Sequence, residues 1–273
     1  MEGKPLRRLR LVVEYDGTDF VGWQRQDNGP SVQGALEDAM FAMTGERNEV
    51  RGAGRTDSGV HALGQVAHVD TEKEIVARGF QLGLNSALPK SVAVRSLVDA
   101  HPDFDARHTA LGKLYRYSLW NHAARPALQR RYNWHLRRIL DVNKMIEASK
   151  HLVGEYDFAA FRAADCDRTN TVRKLHRVDV VQRDELLTVE VEGNAFLKNM
   201  VRIITGTLVE VGRGRIAPSD VAKIRDARDR RAAGVTAPAL GLCLVRVDYP
   251  PDEELRNERR RRIERAGGRL PGE

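Results

Sequence analysis

From Arg8 to Tyr15 apolar and polar residues alternate, with Leu9, Leu11, Val13 and Tyr15 on one face and Arg8, Arg10 and Glu14 mostly on the other. A period of two predicts a half-buried strand. After a Gly-rich loop, Pro30-Ser31 offers a helix start, and Val32, Leu36, Ala39, Met40 and Met43 then recur at helical spacing. Short strands are expected around Val50 and from Gln65 to Val69, flanking the loop Gly52 to Gly59. A second helix fits Glu74 to Leu84, and Ser91 to Val98 is rich in β-formers. The order is β-α-β-β-α-β, the ferredoxin-like arrangement.

The second half repeats this plan. Lys113 to Trp120 is strand-like, with Tyr115, Tyr117 and Leu119 on one face. Asp141 caps a helix carrying Val142, Met145, Ile146 and Leu152. Val172 to Val181 and Leu186 to Val191 read as strands, and Phe196, Met200, Ile203, Ile204, Thr207, Leu208 and Val211 mark a long amphipathic helix. An extra helix is expected from Ser219, and Gly241 to Val247 closes as a strand. The expected fold class is therefore α+β: two pseudo-repeated ferredoxin-like halves with mainly antiparallel sheets and a central cleft, where a site is expected. The halves are read as 1–104 and 105–251, meeting near 99–111. From about Asp252 the composition shifts. Arg256, Arg259, Arg260, Arg261, Arg262 and Arg265 crowd a segment that ends in Gly267, Gly268 and Pro271. Residues 252–273 read as a flexible, solvated basic tail, with an auxiliary phosphate-binding arm as the alternative.

Composition narrows the class of protein. The 273 residues suffice for one large domain or two modest ones, with 41% hydrophobic and 30% charged residues as in a soluble globular chain. The net charge of +7 favours polyanionic partners, nucleic acid first. Two cysteines, Cys166 and Cys243, are too few for a disulfide framework and sit in no metal-ligand cluster, which points to a reducing cytosol and a cytoplasmic protein. The basic start Lys4, Arg7, Arg8, Arg10 leads into strand-like alternation instead of an apolar run, so neither signal peptide nor membrane span is expected.

One segment gathers chemistry: Arg51-Gly52-Ala53-Gly54-Arg55-Thr56-Asp57-Ser58-Gly59-Val60-His61. Its glycines let the backbone turn sharply and let a large ligand come close. Three readings fit. A phosphate cradle is disfavoured, because Asp57 takes the third position of G-x-G-x-x-G and no G-K-[ST] follows. A plain turn with a local Arg–Asp pair is the bland reading. The third is a carboxylate kept ionised by a neighbouring arginine, ready for nucleophilic or base work.

The string Gly52 to His61 resembles the signature of the TruA family of tRNA pseudouridine synthases, G-x-G-R-T-D-x-G-V-H. The likeness continues in order through Tyr15-Asp16-Gly17-Thr18 with Gly22-Trp23-Gln24, and through Phe104-Asp105-Ala106-Arg107 with Lys113-Leu114-Tyr115-Arg116-Tyr117. It runs on through Asn194-Ala195-Phe196-Leu197-Lys198-Asn199-Met200-Val201-Arg202, and ends in Thr236-Ala237-Pro238, Gly241-Leu242 and Tyr249-Pro250. Only the segment beyond about residue 252 lies outside it. Two positions depart from the family pattern: Tyr156, where His is more frequent, and Cys243, where an aromatic is frequent.

The resemblance implies isomerisation of uridine to pseudouridine in transfer RNA, at positions 38, 39 and 40 of the anticodon stem-loop, by a homodimer. It implies no cofactor and no metal, in keeping with the lack of H-E-x-x-H, P-C-x-x-C or P-loop motifs. Asp57 becomes the catalytic carboxylate, whether by attack on C1′, by attack on C6 or by stabilising a transient sugar species. The target uridine must leave its stack. Tyr115 becomes the candidate platform for it, with its hydroxyl a possible acceptor of the C5 proton. Arg55 is expected to pair with Asp57 when empty or to enter the RNA stack, and Arg202 matches an arginine that helps hold the carboxylate. His61 and His68 read as structural. Arg130-Arg131, Arg137-Arg138, Arg213, Arg215, Arg228, Arg230 and Arg231 are candidates for phosphate contact. A non-catalytic RNA-binding module on the same fold is disfavoured by the intact Arg55-Thr56-Asp57 set. A nucleotide-binding enzyme is disfavoured by the charge of Asp57.

Overall fold

Alternation along the first strand becomes burial. β1 (Arg7–Tyr15) hides Leu9, Leu11, Val13 and Tyr15 and leaves the residues between them half-buried. The structure, a computed structural model, describes residues 6–166 and 168–265. Met1–Leu111 with Val245–Glu273 make one unit, and Gly112–Leu244 another.

In the first unit, Ser31 Oγ caps α1 (Val32–Thr44) by accepting the Gly34 N–H at 3.1 Å, and Gly45 ends it at φ 73°. β2 (Arg51–Gly52) is only a two-residue arm on β3 (His61–Thr71). α2 (Ala77–Ala87) starts later than the apolar pattern suggests and buries Phe80 and Leu84. β4 (Val92–Asp99) completes the order β4-β1-β3, antiparallel throughout. Both faces of this sheet are covered, which is why β3 is buried almost without alternation. One cover is a cluster of Ala53, Val66, Phe104, Ala106 and Leu255, with Val12, Val247 and Tyr249 against it. Arg8 secures the approach to that cluster. It grips Asp70 with two bonds of 2.7 Å and donates to the carbonyls of Pro102 and Phe104.

The second unit opens with β5 (Gly112–Asn121), β6 (Trp134–Leu136) and α3 (Val142–Ser149), the last capped by Asp141 as the sequence suggests. β7 (Gly154–Asp157), β8 (Val172–Arg183) and β9 (Leu186–Gly193) follow, giving the antiparallel order β5-β9-β8-β7 with β6 on the side of β5. β6 and β7 are too short and polar for a period to mark. α4 (Met200–Gly212) buries all but two of its residues. It starts after Asn199, whose left-handed φ of 60° keeps Phe196 out of the helix. α5 (Asp220–Ala227) comes next, and β10 (Leu242–Asp248) leads the chain from the second unit back into the first. The fold class is α+β with mainly antiparallel sheets, as the patterning predicts. Among the described residues no helix is long and apolar enough to cross a membrane.

The basic segment departs from the expected solvated tail. α6 (Leu255–Arg265) is a helix, because Leu255, 1% exposed, fills the cluster beside Ala53 and Phe104. Gly267, Gly268 and Pro271 lie outside the described residues.

His68 gives this unit an acid sensitivity. It is buried on β3, its Nδ1 accepts the Ala106 N–H at 3.0 Å, and Phe104 meets its ring edge-on. Burial lowers its pKa from 6.5 to about 4, with Arg8 adding to the effect and Asp105 opposing it. The unfolded chain takes up this proton near pH 6.5, whereas the folded chain resists until about pH 4. Its contribution is therefore complete above pH 6.5 and lost as the pH falls through that window. Urea unfolding at pH 7 and pH 4.5 should show the wild type losing about 2–3 kcal/mol more than His68→Gln. Equal losses would remove His68 as the source.

Candidate active site

The loop Ala53–Val60 joins β2 to β3 and is held from two sides. On the β3 side, Ala53 N–H donates to Val66 O at 2.7 Å, and the buried Gln65 amide donates to Gly54 O at 2.7 Å. On the other side lies the segment Phe20–Trp23. Trp23 N–H donates to Thr56 O at 3.0 Å, Gly22 and Asp57 form an antiparallel bridge, and Ser58 Oγ donates to Phe20 O at 3.2 Å. This approach requires glycine at 22. With φ at 120°, a Cβ there would stand 2.6 Å from Thr56 O. Trp23 is buried flat against Gly52, where a Cβ would meet its ring at 2.5 Å.

Residues of the loop therefore divide by direction. Thr56 turns inward, 7% exposed, and its hydroxyl meets that of Tyr15 at 2.8 Å. Asp57 next to it is half-buried, and its carbonyl accepts the Val60 N–H at 3.1 Å, closing a turn whose Gly59 has φ 77°. Arg55 points outward. Its Nε donates to Gln24 Oε1 at 3.1 Å; Gln24 in turn donates to Gln33, and Gln33 to Val50 O. A relay of two amides thus orients Arg55 from α1, and among the described residues it makes no ion pair with Asp57. His61, buried at the start of β3, accepts the Gly17 N–H on Nδ1 at 3.0 Å, with Asp16 Oδ1 at 3.2 Å. It fastens the turn after β1 to the end of the loop.

The other two candidates belong to the second unit. Tyr115 on β5 stands opposite Val191 of β9 and is 8% exposed, its ring 5.0 Å from Phe196 in an edge-to-face contact. Arg202, half-buried in the first turn of α4, donates from Nε to Ala237 O at 2.7 Å and from Nη1 to Asn199 Oδ1 at 2.8 Å. Lys198, its like-charged neighbour, is engaged by Asp165 at 2.6 Å. The bracket that holds Arg202 also holds Tyr117, whose hydroxyl donates to Pro238 O at 2.6 Å and whose pKa burial pushes up. This bracket lies tight on α4: a Cβ on Gly206 would overlap Val235 O.

Asp57 and Arg55 are thus neighbours on one loop, and Tyr115 and Arg202 share the second unit. The holding residues Gln24, Gln33, Gln65 and Ala237 were not singled out from the sequence for these roles. Gly22 and Gly52 were the available signal, since a glycine in extended chain often marks close approach of another segment.

Known proteins resemble this chain closely. The sequence model of a family described as tRNA pseudouridine synthase matches residues 11–108 and 148–250. A tRNA pseudouridine synthase A of Syntrophotalea carbinolica is 46% identical over 245 residues, covering 90% of this chain and 97% of that one. Its counterpart from Geotalea uraniireducens is 47% identical over 244 residues, covering 89% and 100%. That of Sinorhizobium fredii is 45% identical over 245 residues, covering 89% and 99%. The stretches matched by the family model contain Arg55, Asp57 and Arg202, whereas Tyr115 falls in the interval between them.

The contact at Gly22 is open to a stability test. Gly22→Ala should cost roughly 1–3 kcal/mol for its backbone alone, and more for the collision with Thr56. Gly45→Ala, also at positive φ but facing open space, should cost about 1 kcal/mol. Equal losses in urea unfolding would mean that the Gly22 contact is not under constraint.

Proposed function

The chain belongs to the tRNA pseudouridine synthase family, and on that premise we propose that it isomerises uridine to pseudouridine at positions 38, 39 and 40 of the anticodon stem-loop, with Asp57 as catalytic carboxylate. The observation that carries this is the loop itself. It presents a half-buried carboxylate on a backbone bridged to Gly22, one residue from a buried threonine and two from an outward arginine.

The chemistry asks for few parts. The bond from C1′ to N1 breaks, the base rotates, C1′ joins C5, the C5 proton leaves and N1 gains a proton. Atoms and electrons balance within the nucleotide, so nothing is oxidised, reduced or hydrolysed. A carboxylate meets the need by attacking C1′ or C6, or by stabilising the sugar while the base turns. A backbone bridged on both sides of Asp57 keeps that carboxylate from following the rotating base. Arg55, braced by Gln24, is suited to the space or the phosphate that a flipped nucleotide leaves behind. Arg202, held by Ala237 and Asn199, contributes positive charge to substrate binding. Tyr115 offers an aromatic face for the uracil. The same reading includes a homodimer, which rests on the resemblance alone, acting in the cytoplasm, which the cysteine content suggests.

Asp57→Asn and Asp57→Ala should both abolish product, while transfer RNA affinity stays within about threefold, because chemistry and affinity rest on different residues. Turnover by the Asn variant at about one per cent of wild type or more would overturn the assignment of Asp57 as nucleophile. Tyr115 separates stacking from proton transfer. Tyr115→Leu should lose roughly 1–3 kcal/mol of base contact, seen as a fall of about fivefold to 150-fold in single-turnover product formation. Tyr115→Phe keeps most activity if the ring alone matters, and stalls after glycosidic cleavage if the hydroxyl removes the C5 proton. Near-normal activity in Tyr115→Leu would return this residue to the core.

A further inference from the structure

An arginine side chain is among the costliest to hold in one place, so whatever holds Arg202 bears on its role. Its main chain and its side chain are gripped by the same residue. Ala237 N–H donates to Arg202 O at 3.1 Å, and Arg202 Nε donates back to Ala237 O at 2.7 Å. Asn199 Oδ1 accepts from Nη1 at 2.8 Å, in the turn before α4. The placement of the guanidinium therefore depends on the carbonyl of Ala237.

That carbonyl lies in a segment of the second unit that is fastened along its length. Gly234 N–H donates to Thr207 Oγ1 at 2.9 Å, and Arg230 donates to Gly234 O at 2.9 Å and to Thr236 Oγ1 at 3.1 Å. Beyond Ala237, Pro238 O accepts the Tyr117 hydroxyl at 2.6 Å. Gly241 then lies against the Tyr117 ring, where a Cβ would stand 2.5 Å away. Ala237 and Pro238 thus carry successive carbonyls, one held by Arg202 and the other by Tyr117. The peptide is planar and the Pro238 ring fixes φ at −53°, so ψ is the one torsion left to turn one carbonyl against the other. A shift at Pro238 O is passed on to Ala237 O, and from there to Arg202.

Tyr117 is a firm anchor. It is fully buried on β5, opposite Val189 of β9. Burial raises its pKa, with the positive charge of Arg202 opposing, so the hydroxyl keeps its proton and donates. Strand alternation puts Tyr115 on the same face of β5. We propose that Tyr117 is a positioning residue: its hydroxyl, acting through Pro238 and Ala237, sets the guanidinium of Arg202 relative to Tyr115 on the same strand. Being fully buried, Tyr117 itself meets no substrate. This deepens the proposed function and rests on it for what Arg202 and Tyr115 bind.

The test uses the full-length chain with Tyr117→Phe, Arg202→Ala and both changes together. Tyr117→Phe keeps the ring against Gly241 and removes only the bond to Pro238. Exchange of the Arg202 Nε–H with water is followed by NMR, the signal being assigned by its loss in Arg202→Ala. It should quicken about tenfold or more in Tyr117→Phe, because the acceptor at Ala237 is no longer held still. Transfer RNA affinity should stay within about twofold, since no charge is lost. Single-turnover product formation at saturating RNA should fall about tenfold, since a misplaced group acts on the rate. In the Arg202→Ala background the same change should alter that rate by less than about twofold. Unchanged exchange, or a rate loss that multiplies with that of Arg202→Ala, would confine Tyr117 to packing and overturn the proposal. Should Tyr117→Phe fail to fold, Thr236→Val, which removes the acceptor of Arg230 beside Ala237, is read in the same way. Where Arg202→Ala makes too little product to compare, the exchange rate decides. If the wild type makes no pseudouridine yet exchange quickens in Tyr117→Phe, the positioning of Arg202 stands and the proposed reaction falls.

Discussion

A polar, glycine-rich loop has no ladder of its own, so something must hold its backbone where a carboxylate is to act. That constraint is met where Gly22 lies against Thr56 and Asp57, closer than any side chain at 22 allows. Much else in the first unit follows from this contact. Trp23 must lie flat, and Gly52 lets it. Thr56 must turn inward, and the hydroxyl of Tyr15 receives it at the end of β1. Gln24 then reaches Arg55, and Gln33 joins that relay to α1, which Ser31 has started in the right place. The opposite edge of the loop rests on Gln65 and Val66 of β3. Its support is thus a strand on one side and a tight chain approach on the other, and the start of α1 holds that approach through Val32 N–H to Gly22 O and Gln33 N–H to Trp23 O.

How much of this could be read from residues alone depends on the range of the interaction. Alternation from Leu9 to Tyr15 and the helical spacing after Ser31 are local and survive intact. Where the pattern failed, an identifiable interaction at longer range took over. Phe196 carries the apolar period of α4 but is cut off from it by Asn199 in a left-handed turn, and packs on Tyr115. Leu255 is one of only two apolar residues in the charged α6, with Ile263, yet its burial beside Ala53 and Phe104 docks the helix. Asp57 and Arg55 drew attention because a carboxylate and two arginines share a glycine-rich loop, but their proposed roles came from the family resemblance and not from residue types. Their supports were not legible, since Gln24 meets Arg55 across 31 residues and Arg202 meets Ala237 across 35.

Charge acts in two distinct ways here. Most basic residues have acidic or carbonyl partners, as Arg8 does with Asp70, and serve the fold. The net charge of +7 is the excess of base over acid that such pairing leaves.

The central claim is that this chain converts uridine in transfer RNA. The most direct measurement incubates the purified protein with an unmodified transfer RNA transcript carrying uridines at positions 38, 39 and 40, then maps pseudouridine at single-nucleotide resolution. The account predicts conversion at those three positions and at no uridine outside the anticodon stem-loop. A transcript left unmodified under conditions where the protein binds it, or modified only elsewhere, would contradict it.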